Sequence, residues 1–113
     1  MRDVRAELFL WAAQRVTAAF LAVFVLVHLA TIVYAVRGGL TAAEILARTH
    51  SSLAIPIFYA FFVLAASIHG AIGLRNIAAE WLGWRGASAN AAVSLAGLAL
   101  LALGLRAVLA VSA

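Results

Sequence analysis

Residues 53–74 read LAIPIFYAFFVLAASIHGAIGL, and this stretch decides the fold. It carries no charged residue and matches the roughly 20 apolar residues that take a helix across a bilayer. Working outward, residues 16–36 and 89–105 form two further spans of similar character. The expected fold is an all-α membrane protein with three transmembrane helices in a single domain over 1–113.

Composition supports the same solvent. The chain has 113 residues, of which 67% are hydrophobic and 11% charged. A soluble domain of this size leaves too much surface exposed to hide that apolar content. Cysteine is absent, which excludes disulfides, Fe–S ligation and thiol catalysis by this chain. The single methionine is Met1, so no internal thioether can ligate haem iron. The net charge of +4 comes from arginine alone. Arg2, Arg5, Arg15, Arg75 and Arg85 fall at one membrane face. That bias reads as topology, not as a nucleic-acid footprint, and it places the N-terminus and the loop at 76–88 in the cytoplasm. Trp11, Trp81 and Trp84 lie near the same side, as an aromatic belt does. A secretory signal peptide is the rival reading of the first span. That span exceeds the usual h-region of about 7–15 residues, and two matched spans follow it.

The connections carry their own signals. Gly38-Gly39 and Gly83 punctuate the spans. Thr41 and Glu44 have the spacing of a capping box, with Leu40 and Ile45 placed as its hydrophobic staple. A short helix is expected there, at the outer membrane surface. Ser51 or Ser52 is a candidate cap for the second span, and Pro56 falls in its first turn, where few helical bonds are lost. In the third span Asn90, Ser94, Gly97 and Gly104 recur on one face, the pattern of close helix packing in lipid. Arg106 reaches for the outer interface.

His69 is the residue on which function turns. An ionisable group at membrane depth is a functional-site hypothesis by default. Neutral imidazole is a good axial ligand for haem iron; its bland alternative is a hydrogen bond to a neighbouring helix. Gly73, one turn on, would let a flat macrocycle approach the backbone, and Arg75 stands where a propionate or a lipid phosphate can be met. His28 lies in the first span, with Thr17 and Leu21 on its face. The two histidines belong to antiparallel spans and differ in depth by roughly 10 Å. Two haems, one ligated by each histidine, suit those depths better than one haem shared. His50 reads as a surface histidine. At the cytoplasmic end of the first span, Trp11, Gln14, Arg15 and Thr17 could form part of an apolar slot with donors, as a quinone headgroup requires. The acids Asp3, Glu7, Glu44 and Glu80 lie outside the spans, which argues against an intramembrane proton relay.

Two patches carry a family resemblance. Gln14-Arg15-Val16-Thr17-Ala18 is similar to a His-Arg-x-Ser/Thr-Gly pattern. His69-Gly70-Ala71-Ile72-Gly73-Leu74-Arg75-Asn76 is similar to His-x-x-x-Gly-Ile/Leu-Arg-His. The chain thereby resembles the cytochrome b membrane-anchor subunit of succinate dehydrogenases and fumarate reductases. Gln14, Ala18 and Asn76 depart from the family's histidine, glycine and second histidine, and Trp11 stands where a serine is common. The resemblance implies a multi-pass anchor in a bacterial-type inner membrane. Its partners would be an Fe–S subunit, a flavoprotein, and a second anchor chain or another copy of itself. It implies haem b, one or two, with His69 as an axial ligand and His28 as the ligand of a second haem iron. It also implies quinone near Arg15. Electrons would pass between the Fe–S subunit and membrane quinone, with dicarboxylate chemistry on the flavoprotein. The competing readings are an anchor without haem, and a structural membrane protein whose histidines only stitch helices. A haem transporter or small channel ranks below both, because the spans show no polar stripe to line a pore.

Overall fold

In lipid no water satisfies backbone N–H and C=O groups, so an apolar run of this length closes its own bonds as a helix. The computed structural model describes residues 3–112 and contains four helices among them: α1 (Val4–Arg37), α2 (Ala42–Ser51), α3 (Ala54–Leu82) and α4 (Ala87–Ser112). Three of these, α1, α3 and α4, are long and apolar enough to cross a membrane. The short helix falls between the first two, as expected. The arginine of the basic face at position 2 lies outside the described residues.

The helices run past the expected spans. α1 begins at Val4 and not near residue 16, because the Asp3 carboxylate caps its start by accepting from the Arg5 N–H at 3.0 Å. Nothing in a helix obliges it to end at the hydrocarbon boundary, so the charged first turns simply continue into the headgroup region. α3 likewise continues beyond Leu74 to Leu82, where Gly83 takes φ 63° and Trp84 N–H returns to the Ala78 carbonyl at 2.9 Å. The long axis of the molecule measures 54 Å, more than the roughly 40–45 Å of a bilayer with its headgroups.

α2 starts with the capping box as read: Glu44 N–H donates to Thr41 Oγ1 at 3.2 Å and Thr41 N–H to Glu44 Oε2 at 3.0 Å. Neither Ser51 nor Ser52 caps α3. Ser51 ends α2 and donates to its Arg48 carbonyl at 3.0 Å, while Leu53 stands at the α3 N-cap with no side-chain bond. Pro56 does sit in the first turn of α3. His50 is an exposed residue of the last turn of α2, where its ring adjoins the negative end of the helix dipole.

α3 is the central helix, packed against α1 on one side and α4 on the other. The α3–α4 seam is made by small residues. A Cβ on Gly97 would meet the Ala71 methyl at 3.0 Å, and one on Gly104 would run into the stiff Val63 side chain. Ala89 is 1% exposed in the same seam. Ser94, placed on this face by its spacing, is exposed instead. At the other end Thr49 of α2 donates to the Val111 carbonyl of α4 at 2.5 Å. Gly104→Ala is therefore expected to destabilise the bundle by about 1–3 kcal/mol through overpacking, read as a lower thermal unfolding midpoint in detergent; an unchanged midpoint would mean that α4 can slide away from Val63.

Candidate functional site

Polar side chains within these apolar helices converge at three levels. At the first, α1 begins beside the end of α3 and the start of α4. Arg75 Nη2 donates to Glu7 Oε1 at 2.8 Å and its Nε donates to Asn90 Oδ1 at 3.2 Å, so one guanidinium ties all three long helices. The ion pair is partly exposed, at 29% and 41% for the two side chains. It is worth on the order of 0–1 kcal/mol as a surface pair, and more as a geometric clasp than as a stabiliser.

Directly above the clasp, a crevice of about 340 Å³ opens between α1 and α3. Trp11, Gln14, Arg15 and Arg75 line it with Leu10 and Ile72. The Arg15 guanidinium lies over the Trp11 ring, 4.9 Å from its centre, and makes no hydrogen bond among the described residues. Gln14 Oε1 is buried without a partner. A Cβ on Gly73 would meet Gln14 Nε2 at 3.5 Å, so the space that this glycine leaves lies beside the Gln14 amide. Three of the four residues read as a quinone slot thus meet in one place, and Arg75 joins them. Thr17 does not line it.

Thr17 belongs to the second level, one turn deeper. It is the buried residue of α1, 7% exposed, and its Oγ1 is 3.2 Å from Nδ1 of His69. The third level holds His28, whose Nδ1 is 2.9 Å from the Tyr59 hydroxyl of α3. The His28 ring packs edge-on against Tyr59 and Phe62, within a cluster that also contains Phe24 and Phe58. Counting along α1 from Thr17 to His28, the two histidine levels stand about 16 Å apart at ~1.5 Å per residue, farther than the depth difference expected from the sequence. Sequence reasoning did not find Tyr59. A tyrosine in an otherwise aliphatic and phenylalanine-rich run was the available signal, because a buried phenol needs a partner.

Neither His69 nor His28 has a partner at Nε2 among the described residues. Neither of these nitrogens is fully buried. Among the described residues no three histidine or acidic side chains gather as a metal cage. Each histidine level thus offers one imidazole nitrogen without a partner among the described residues.

Comparison with known proteins decides the family. A family model for the succinate dehydrogenase/fumarate reductase transmembrane subunit matches residues 3–111. The chain belongs to that family. It is a multi-pass membrane subunit, and the three long helices are its membrane spans. No curated protein and no solved structure matches the chain.

Towards the other membrane face, His28 and Tyr59 border a second, largely apolar crevice of about 510 Å³ under α2. Arg48 stands at its rim, with Nη1 3.4 Å from the Tyr34 hydroxyl. That hydrogen bond, with the charge interaction between the same groups, raises the Arg48 pKa above its ordinary value. Trp81 is 80% exposed and Trp84 donates to Ser88 Oγ at 2.9 Å, consistent with belt positions at the arginine-rich end.

Tyr59→Phe removes the partner of His28 and nothing else. Interhelical hydrogen bonds in membranes are worth about 0.6 kcal/mol on average and up to about 1.7. A loss in that range is expected in the detergent stability of the chain; no loss would mean that His28 finds another acceptor or donor.

Proposed function

We propose that this subunit anchors an Fe–S subunit and a flavoprotein to a bacterial-type inner membrane and passes electrons between the Fe–S subunit and membrane quinone. The observation that carries the proposal is adjacency. The crevice of Trp11, Gln14, Arg15 and Arg75 opens between α1 and α3, and the Thr17–His69 pair lies one turn from it across the same interface. A quinone slot and a haem-ligating imidazole at that separation form a short electron path.

Each residue has a defined task in this reading. Arg15 is a cation with unused N–H groups at the mouth of an apolar slot, fit to donate to a quinone oxygen. The unpaired Gln14 Oε1 can accept from a quinol hydroxyl, or the amide can turn to donate. Trp11 holds the Arg15 guanidinium against its ring and so limits its rotamers. His69 would hold haem b through Nε2, and His28 would hold a second haem deeper in the membrane. The remaining protein contacts to each haem would come from a second anchor chain or another copy of this one. Haem b, when bound, supplies a one-electron reservoir and relay. Arg75 spends two of its five N–H groups on Glu7 and Asn90, and the rest, without a partner among the described residues, would meet a propionate. Dicarboxylate chemistry belongs to the flavoprotein.

Orientation follows from charge. Arg5, Arg15, Arg75 and Arg85 share the end where α1 begins and α3 closes, against Arg37, Arg48 and Arg106 at the other. The arginine-rich end faces the cytoplasm under the positive-inside rule, and the Fe–S subunit docks there.

In a second reading, the anchor without haem, the Nδ1 contacts of both histidines serve only to stitch α1 to α3. A reduced-minus-oxidised spectrum of the purified complex separates the two. A b-type band with two components is expected, one lost in His69→Ala and the other in His28→Ala; a wild-type complex with its partners present and no band would establish the haemless anchor. Arg15→Ala is expected to lower quinone reduction at least tenfold, while electron delivery to a dye that accepts from the Fe–S subunit and the b band both persist. Equal loss of both activities would place Arg15 in subunit docking.

A further inference from the structure

Thr17 is held in one hydrogen-bonding role. Its Oγ1 lies 2.7 Å from the Ala13 carbonyl oxygen, 3.1 Å from that of Gln14 and 3.2 Å from His69 Nδ1. A threonine hydroxyl has one proton. Both carbonyl oxygens can only accept, so the proton goes to them, chiefly to Ala13 at the shorter distance, as a back-bond to the preceding turn. Were the proton turned to the histidine, the hydroxyl oxygen would face two carbonyl oxygens through lone pairs alone. In a low-dielectric interior that arrangement carries a heavy penalty. Oγ1 is therefore the acceptor towards His69, and Nδ1 is the nitrogen that bears hydrogen.

We infer that Thr17 is a positioning residue that fixes His69 as the Nδ1–H tautomer and so leaves the Nε2 lone pair free for iron. The inference rests on His69 being a haem ligand and assigns Thr17 to that histidine, not to the quinone. A metal-bound imidazole generally donates its other N–H to an acceptor, which sets ring orientation and makes the ligand more basic. Thr17 supplies that acceptor from the neighbouring helix, with its own geometry set by the α1 backbone. A more basic imidazole favours the ferric state, so this contact lowers the haem potential.

His28 is the internal contrast. Its partner, Tyr59, makes no further hydrogen bond among the described residues, so the phenol can either give or take the proton at Nδ1. Its tautomer is not set by the chain. Of the two levels, the one nearer the quinone crevice is pre-organised for ligation.

The test uses the assembled complex with Thr17→Val, which keeps the shape and removes the hydroxyl, and Thr17→Ser, which restores it. Two quantities are read: the midpoint potential of the b band assigned by His69→Ala, and the haem retained per complex on dilution in detergent. Thr17→Val is expected to shift that potential upward and to weaken haem retention by roughly ten- to a hundredfold; Thr17→Ser is expected to behave as wild type. If Thr17→Val does not assemble, Thr17→Ala reads the same two quantities. A hydroxyl-free variant with wild-type potential and retention would overturn the role of Thr17 while leaving haem ligation intact. A wild-type complex without haem, or one whose b band is unchanged in His69→Ala, would overturn the ligand assignment beneath it.

Discussion

A polar side chain inside an apolar membrane helix has to find its partner on the next helix, and this bundle is arranged around that constraint. Each polar level between α1 and α3 is a cross-link of this kind: Arg75 with Glu7, His69 with Thr17, His28 with Tyr59. Together they set the rotation of α1 about its own axis. Packing would not set it alone, because Thr17 is the one residue of α1 that is buried within the described chain.

The two seams of α3 therefore work differently. Against α4, glycines and alanines bring backbones close, and shape complementarity supplies the attraction that lipid denies to apolar surfaces. Against α1, the join is looser and polar, and it leaves the crevice of Trp11, Gln14, Arg15 and Arg75 open. A tight seam fixes α3, and the looser one leaves the space proposed above for quinone. The division is economical, since the helix that carries His69 is also the helix held most firmly.

Much of α1 offers large apolar side chains outward, among them Phe20, Val23 and Leu26. In a transmembrane subunit that surface meets lipid or another chain. Both histidines are half-buried, so a haem shared between chains, as proposed above, would be approached from outside this one. Pre-organisation of His69 by Thr17 would then spare the complex an unfavourable tautomer shift on assembly.

Part of this was legible in the residues themselves. Three apolar runs of bilayer length determine three spanning helices, because a backbone in lipid has no other hydrogen-bonding partners. Thr41 and Glu44 determine the start of the short helix, since both halves of a capping box lie within four residues. Local chemistry also marks His69, Arg15 and Arg75. What the sequence could not determine is which residues face each other across the α1–α3 interface. Thr17 is separated from His69 by most of two helices, and nothing in its neighbours says whether its hydroxyl turns to a quinone or to a histidine. Spacing within a helix assigns a side chain to a face; only the rotation and register of two packed helices assign that face a partner. Tertiary structure alone therefore took Thr17 out of the crevice lining, put Gly73 beside Gln14, and gave His28 its tyrosine.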